Sequence, residues 1–111
     1  MKVISEFSHF NALDLRVGTI VKVEESKTKK TTWKMTIDFG KKIGIKTSCG
    51  DYTNYTPSQL IELQVICIIN LEAKKMGPEI SEVLVLGIKD RHGKTVPLTV
   101  ETKVENGEAV F

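Results

Sequence analysis

The sequence predicts an all-β domain, a small closed or nearly closed barrel. Three observations carry this. Short stretches alternate between apolar and polar residues with the period of a strand. One capped helix is signalled, after the third of these stretches. The 111 residues make one domain, 1–111, long enough to hold a core without metals or disulfides.

The elements follow in order. Residues 3–11 could form one or two helical turns carrying Ile4, Phe7 and Phe10. Over 15–23 the apolar residues Leu15, Val17, Val21 and Val23 occupy odd positions, with Arg16 and Lys22 opposite, and Gly18 marks a bulge or sharp bend. Trp33, Met35, Ile37 and Phe39 alternate with Lys34, Thr36 and Asp38, the clearest half-buried strand of the chain; Trp33 and Phe39 are on its core parity. After a turn at 40–42, Ile43, Ile45 and Thr47 alternate with Gly44, Lys46 and Ser48, a third strand paired back as a hairpin. Thr56 as N-cap, Pro57 in the first position and Gln59 three residues after the cap start a short helix over 57–61.

Residues 64–69 form a continuous β-branched apolar run, a strand buried on both faces. A connection at 70–81 carries Lys74, Lys75, Gly77 and Pro78, and 82–88 reads as another apolar strand. Asp90 to Lys94 is a hairpin turn with Gly93 at the positive-φ position, 95–100 is a last strand held to an edge by Pro97, and Asn106-Gly107 is a turn. A helix between the third and fourth strands is the arrangement of the OB-fold, a five-stranded Greek-key barrel. A Greek-key sandwich is the alternative, but it usually has more strands.

Several classes are excluded. The longest apolar run, Val65 to Ile69, is far short of the roughly 18–20 residues of a membrane helix. Met1 to Glu6 contain no apolar core of a signal peptide, which makes the cytosol the default address. Two cysteines are too few for a disulfide framework; Cys67 reads as a buried hydrophobe and Cys49, before Gly50, as a residue near a turn. His9 and His92 have no partner at metal-ligand spacing, there is no phosphate loop or dinucleotide fingerprint, and no nucleophilic triad can be assembled. The expectation is a protein without cofactor, metal or catalysis.

A binding surface remains. Between residues 22 and 46 eight lysines face only Glu24, Glu25 and Asp38, although the whole chain has a net charge of +2. Such a local field concentrates a polyanion whatever the total. Lysine outnumbers arginine 14 to 2, which suits phosphate contacts rather than bidentate base reading. Lys34, Thr36, Lys46 and Ser48 are the outward residues of strands two and three, approached by a loop with Lys27, Lys29 and Lys30. Tyr52 and Tyr55 are the candidates for exposed base stacking. So few aromatics favour recognition of a folded RNA by shape and backbone over a single-strand platform. Apolar residues at both ends, Val3, Ile4, Phe7 and Phe10 against Val104, Ala109, Val110 and Phe111, mark an interface.

Leu13-Asp14-Leu15-Arg16-Val17-Gly18-Thr19-Ile20 resembles the opening motif of the tRNA-binding domain superfamily. Residues 37–40, 43–48, 55–61 and 81–87 are similar to the CsaA branch, the export-related chaperones. The resemblance covers about residues 10–110. It implies an OB-fold homodimer built from extensions at 1–12 and 103–111. It also implies that Asn70, Lys74, Lys75 and Ser81 lie in a nucleic-acid-facing loop, and that Lys34 and Lys46 are basic positions of the barrel face. The chain departs from the tRNA-binding members at Glu82-Val83, where they carry Gly-Met, and this places an acid beside the phosphate site. It departs from the chaperones at Leu71-Glu72-Ala73 and at Pro78-Glu79-Ile80. Two functions are thereby expected: a module that grips tRNA or another structured RNA, and, alternatively, a chaperone that holds extended preprotein segments.

Overall fold

The computed structural model describes residues 1–28 and 30–111. Lys29, one of the loop lysines, lies outside the described residues. A short helix α1 (Phe7–Asn11) precedes β1 (Leu15–Glu25), β2 (Trp33–Asp38) and β3 (Ile45–Gly50). Helix α2 (Pro57–Leu60) leads into β4 (Gln64–Ile68), a hairpin of β5 (Lys74–Met76) and β6 (Glu79–Ser81), then β7 (Leu84–Val85), β8 (Gly87–Lys89) and β9 (Thr95–Pro97). The main sheet is antiparallel in the order β3-β2-β1-β4-β7. Backbone bonds from Glu82 and Val83 to the Thr47 carbonyl draw the far edge back toward β3, so the sheet is a nearly closed barrel. With α2 between β3 and β4 this is the OB-fold.

The interior is filled by Ile20, Met35, Ile37, Phe39, Tyr52, Leu60, Val65, Cys67, Val83 and Val85. Both cysteines are free thiols, and burial pushes Cys67 up to about 12. Cys49 is the buried penultimate residue of β3, just before the bend at Asp51. Helix α2 starts as its sequence signals: Gln59 Oε1 accepts from the Thr56 N–H at 2.8 Å.

The parity of β1 is corrected. Ile20 pairs with Ile37 but Lys22 pairs with Thr36, so Val21 is the extra residue of a bulge. Before the bulge Gly18 and Ile20 face the barrel interior, while Val17 on the odd parity is also buried; after it Val23 packs on the core, and Val21 itself is exposed. Gly18 is not the bulge. A Cβ there would lie 2.6 Å from Ile37 Cγ2 and 2.7 Å from Phe39 Cε1, so the glycine lets β1 close onto the core.

Three further expectations change. The 70–81 connection contains the β5–β6 hairpin, turned at Gly77 with φ of 62°. The 82–88 stretch is two short strands, because β7 pairs with β4 whereas β8 pairs with β9. The last strand ends at Pro97, beyond which Leu98 and Thr99 still touch β4 through one backbone bond and one bridge.

The tail folds back along β1: Val17 and Val110 donate to Glu108 and Leu15, and Gly107 donates to Val17. Arg16 also donates to the Gly107 carbonyl at 3.0 Å. The N-terminal apolar residues are uncovered, with Val3 and Ile4 each 92% exposed and Phe7 73%.

Candidate nucleic-acid interface

Two connections meet at one side of the barrel. The loop between β1 and β2 carries Lys27 and Lys30, both exposed. The β5–β6 hairpin carries Lys74 and Lys75, also exposed. A Cβ on Gly77 would lie 3.6 Å from the Lys27 carbonyl oxygen, so the hairpin tip rests against that loop. Positive charge far apart in sequence is thereby gathered on one surface.

Strand register extends this surface across the sheet. Lys34 is opposite Cys49, the Cys49 N–H donates to Ser81 Oγ at 3.0 Å, and Ser81 is opposite Lys74. The β5–β6 hairpin is a separate two-stranded sheet, joined to β3 here through this hydroxyl. Lys34, Lys74, Lys75 and Ser81 are thus brought together. The Ser81 hydroxyl is spent on structure, accepting from Cys49 and donating to the Val83 carbonyl at 3.2 Å.

Lys46 and Ser48 are not brought there. Ser48 is opposite Met35 and Lys46 is opposite Ile37, so both have the inward parity of β3. Ser48 is 1% exposed, within the barrel. The opposite parity of β3 carries Ile45, Thr47 and Cys49, opposite Asp38, Thr36 and Lys34; Ile45 is 61% exposed, whereas Cys49 is buried. The parity assigned from sequence is inverted because a hydroxyl and a thiol on neighbouring positions gave no apolar signal. Asn70 has a local role: its Oδ1 accepts from the Asp14 N–H at 2.7 Å and its Nδ2 donates to the Ala12 carbonyl at 2.9 Å, fixing the entry to β1.

Neither tyrosine is a stacking platform. Tyr52 is 4% exposed and donates to the Val85 carbonyl at 3.2 Å; burial raises its phenol to about 12. Tyr55 packs half-buried against the core and its carbonyl accepts from Trp33 Nε1 at 2.9 Å.

Two acids complete the surface. Glu82 Oε1 accepts from the Thr47 N–H and lies at hydrogen-bonding distance from Thr47 Oγ1, each at 3.0 Å. Its carboxylate therefore ties β3 to the strand edge that closes the barrel. Glu79, which sequence reasoning did not place in the site, has Oε2 3.2 Å from the Lys34 ammonium. That oxygen is buried with no aligned hydrogen bond among the described residues. Contact with this carboxylate, then its charge, raises the Lys34 pKa above the ordinary lysine value.

The arrangement offers the exposed ammonium groups of Lys27, Lys30, Lys74 and Lys75 to phosphates, while the Thr47 hydroxyl is held by the Ile80 carbonyl and Glu82. Among the described residues no group of three or more His, Cys, Asp or Glu is placed to hold a metal ion. A groove elsewhere, bordered by Thr19, Gln64 and Thr99, has Glu62, Lys103 and Glu105 as its charged lining and no positive excess.

Residues 15–109 match the family model described as "Putative tRNA binding domain". The chain is 32% identical over 106 residues to a methionine--tRNA ligase of Methanocaldococcus jannaschii and 38% identical over 102 residues to that of Archaeoglobus fulgidus. These alignments cover 95% and 91% of the chain, but the chain spans only 16% and 15% of those relatives' length. Among solved structures, the chaperone CsaA of Bacillus anthracis superimposes with a TM-score of 0.91 at 34% identity, covering 98% of this chain and 100% of that one. The CsaA chaperone protein of Picrophilus torridus gives a TM-score of 0.91 at 34% identity, covering 97% and 100%.

Proposed function

Because the chain belongs to the family of tRNA-binding domains, close to its CsaA members, we propose that it is a non-catalytic module that grips tRNA or another structured RNA by shape and phosphate contacts. One observation carries this reading: the β5–β6 hairpin with Lys74 and Lys75 lies against the loop with Lys27 and Lys30. In OB-folds the corresponding loops bind oligonucleotides. Lysine point charges, with Tyr52 and Tyr55 packed against the core, suit a backbone-reading grip rather than base readout. Working in the cytosol is part of the proposal; among the described residues no helix is long and apolar enough to cross a membrane.

A homodimer is part of the same reading. Val3, Ile4, Phe7 and Phe111 are uncovered on the single chain, and a second copy would bury them. Two copies would present two lysine surfaces to one rigid RNA, which raises affinity without new contacts.

The second reading is a chaperone for extended preprotein segments. It is favoured by the same exposed apolar residues and by the description of the similar CsaA structures as chaperones. Filter binding of tRNA over a salt series separates the two. RNA binding through Z lysines weakens with a log–log slope of about −0.7Z to −0.9Z, whereas apolar peptide binding changes little. Failure to bind tRNA at low salt, with salt-independent binding of unfolded polypeptide, would replace the first reading by the second.

A further inference from the structure

We infer that Glu79 sets the RNA affinity of this surface from within, by holding the Lys34 ammonium that would otherwise take a phosphate. The inference deepens the RNA-binding reading and rests on it. Lys34 lies on the face of β2 opposite the core, across from Cys49, whose N–H donates to Ser81 of the hairpin that carries Lys74, so it borders the exposed lysines. Its charge is already answered. The Glu79 carboxylate lies 3.2 Å away, with a side chain only 12% exposed against 32% for Lys34. The more buried partner is the acid, and Oε2 has no aligned hydrogen bond among the described residues to replace the ammonium.

A phosphate reaching Lys34 must either take the ammonium from Glu79 or share it. Taking it strands a partly buried carboxylate, which is costly. Sharing it places two anions about one cation, where they repel. Either way Lys34 gives the free protein a closed ion pair and gives RNA little. Lys74 and Lys75 differ, since neither forms an ion pair among the described residues. Glu79 opens β6, directly after Pro78 in the turn of the hairpin that carries Lys74 and Lys75.

The test is filter binding of unfractionated tRNA from 50 to 200 mM salt to the wild type and three variants. E79Q keeps the shape of the side chain and removes its charge. E72Q removes the same charge from an exposed position in the same connection. K34A/E79Q lacks both partners, so it leaves no buried charge unpaired. E79Q is expected to bind up to about tenfold tighter at 50 mM salt, with a slope steeper by about 0.7–0.9, the mark of one more phosphate contact. E72Q and K34A/E79Q are expected to keep the wild-type slope. An unchanged slope in E79Q overturns the inference and leaves the RNA reading standing. So does a gain in K34A/E79Q or in E72Q equal to that in E79Q, which would show loop charge alone at work. No tRNA binding by any of the four proteins at 50 mM salt overturns the RNA reading itself, and this inference with it.

Discussion

Replacing Lys74 and Lys75 together by alanine tests the proposed surface most directly. Both side chains are exposed on β5, and neither is held by an acid among the described residues, so each is free to meet one phosphate. Removing both takes two from the number of neutralised phosphates. The slope of log affinity against log salt should therefore become shallower by about 1.4–1.8. A fourfold rise in salt, from 50 to 200 mM, then shrinks the advantage of the wild type over the variant by about seven- to twelvefold. The loss should be nearly equal for different tRNAs, because phosphate contacts carry little sequence information. Exposed lysines outside any network contribute within about 0.5 kcal/mol to stability, so thermal melting of the variant should match the wild type. Filter binding at four salt concentrations, with melting as the control, decides it. A well-folded variant with the wild-type slope would refute the assignment of this hairpin to RNA.

Four further outcomes follow from the structure. Gly18→Ala forces a Cβ to within 2.8 Å of Ile37 and Phe39 and should cost about 1–3 kcal/mol, read as a melting temperature lower by roughly 4–12 °C; unchanged melting would remove the close-approach argument. Glu82→Ala leaves the Thr47 N–H without its carboxylate and should cost about 1–3 kcal/mol in denaturant titration, whereas Glu82→Gln, which retains the acceptor oxygen, should cost less; equal losses would contradict the cross-link. Tyr52 and Cys67 both have folded pKa values raised to about 12, so the folded state keeps protons that the unfolded state has lost, and stability should fall as pH rises from about 9 to about 12; stability that is flat or rising there refutes their burial. Light scattering at micromolar concentration should give twice the chain mass, and the mass of one chain would remove the homodimer.

The barrel was legible where one side chain per position carried an unmixed signal. Met35, Ile37 and Phe39 alternate with Lys34, Thr36 and Asp38, and β2 lies where that alternation puts it. Thr56, Pro57 and Gln59 mark α2 by local hydrogen bonding that needs no tertiary context. Legibility failed where the signal depended on a neighbour. Val21 looks like a core residue by period, but the inserted residue of a bulge reverses the parity of the chain before it, and no residue type announces that insertion. In β3, Ile45 is exposed and Ser48 buried, against their hydropathy, because pairing with β2 fixes which face each takes. Tyr52 stands among Asp51, Thr53 and Asn54 in sequence, yet its ring belongs to the core and its hydroxyl reaches the Val85 carbonyl.

The candidate site shows the same dependence in its charges. By sequence, the hairpin and its flank carry Lys74 and Lys75 against Glu79 and Glu82, a stretch without positive excess that argues against RNA. The fold divides these charges unequally. Glu82 is turned toward the barrel seam, where its Oε1 is held by the Thr47 N–H and hydroxyl, so it has a structural role. Glu79 is directed at Lys34 on another strand and neutralises a lysine that sequence alone would count as free. What remains toward solvent is Lys74 and Lys75, with Lys27 and Lys30 beside them across the hairpin tip. An RNA approaching this surface meets the charges left after internal pairing, among which Glu72 is the exposed acid of the connection beside the exposed lysines. The salt slope measures that pairing directly, because only unpaired lysines release counterions from the RNA when it binds.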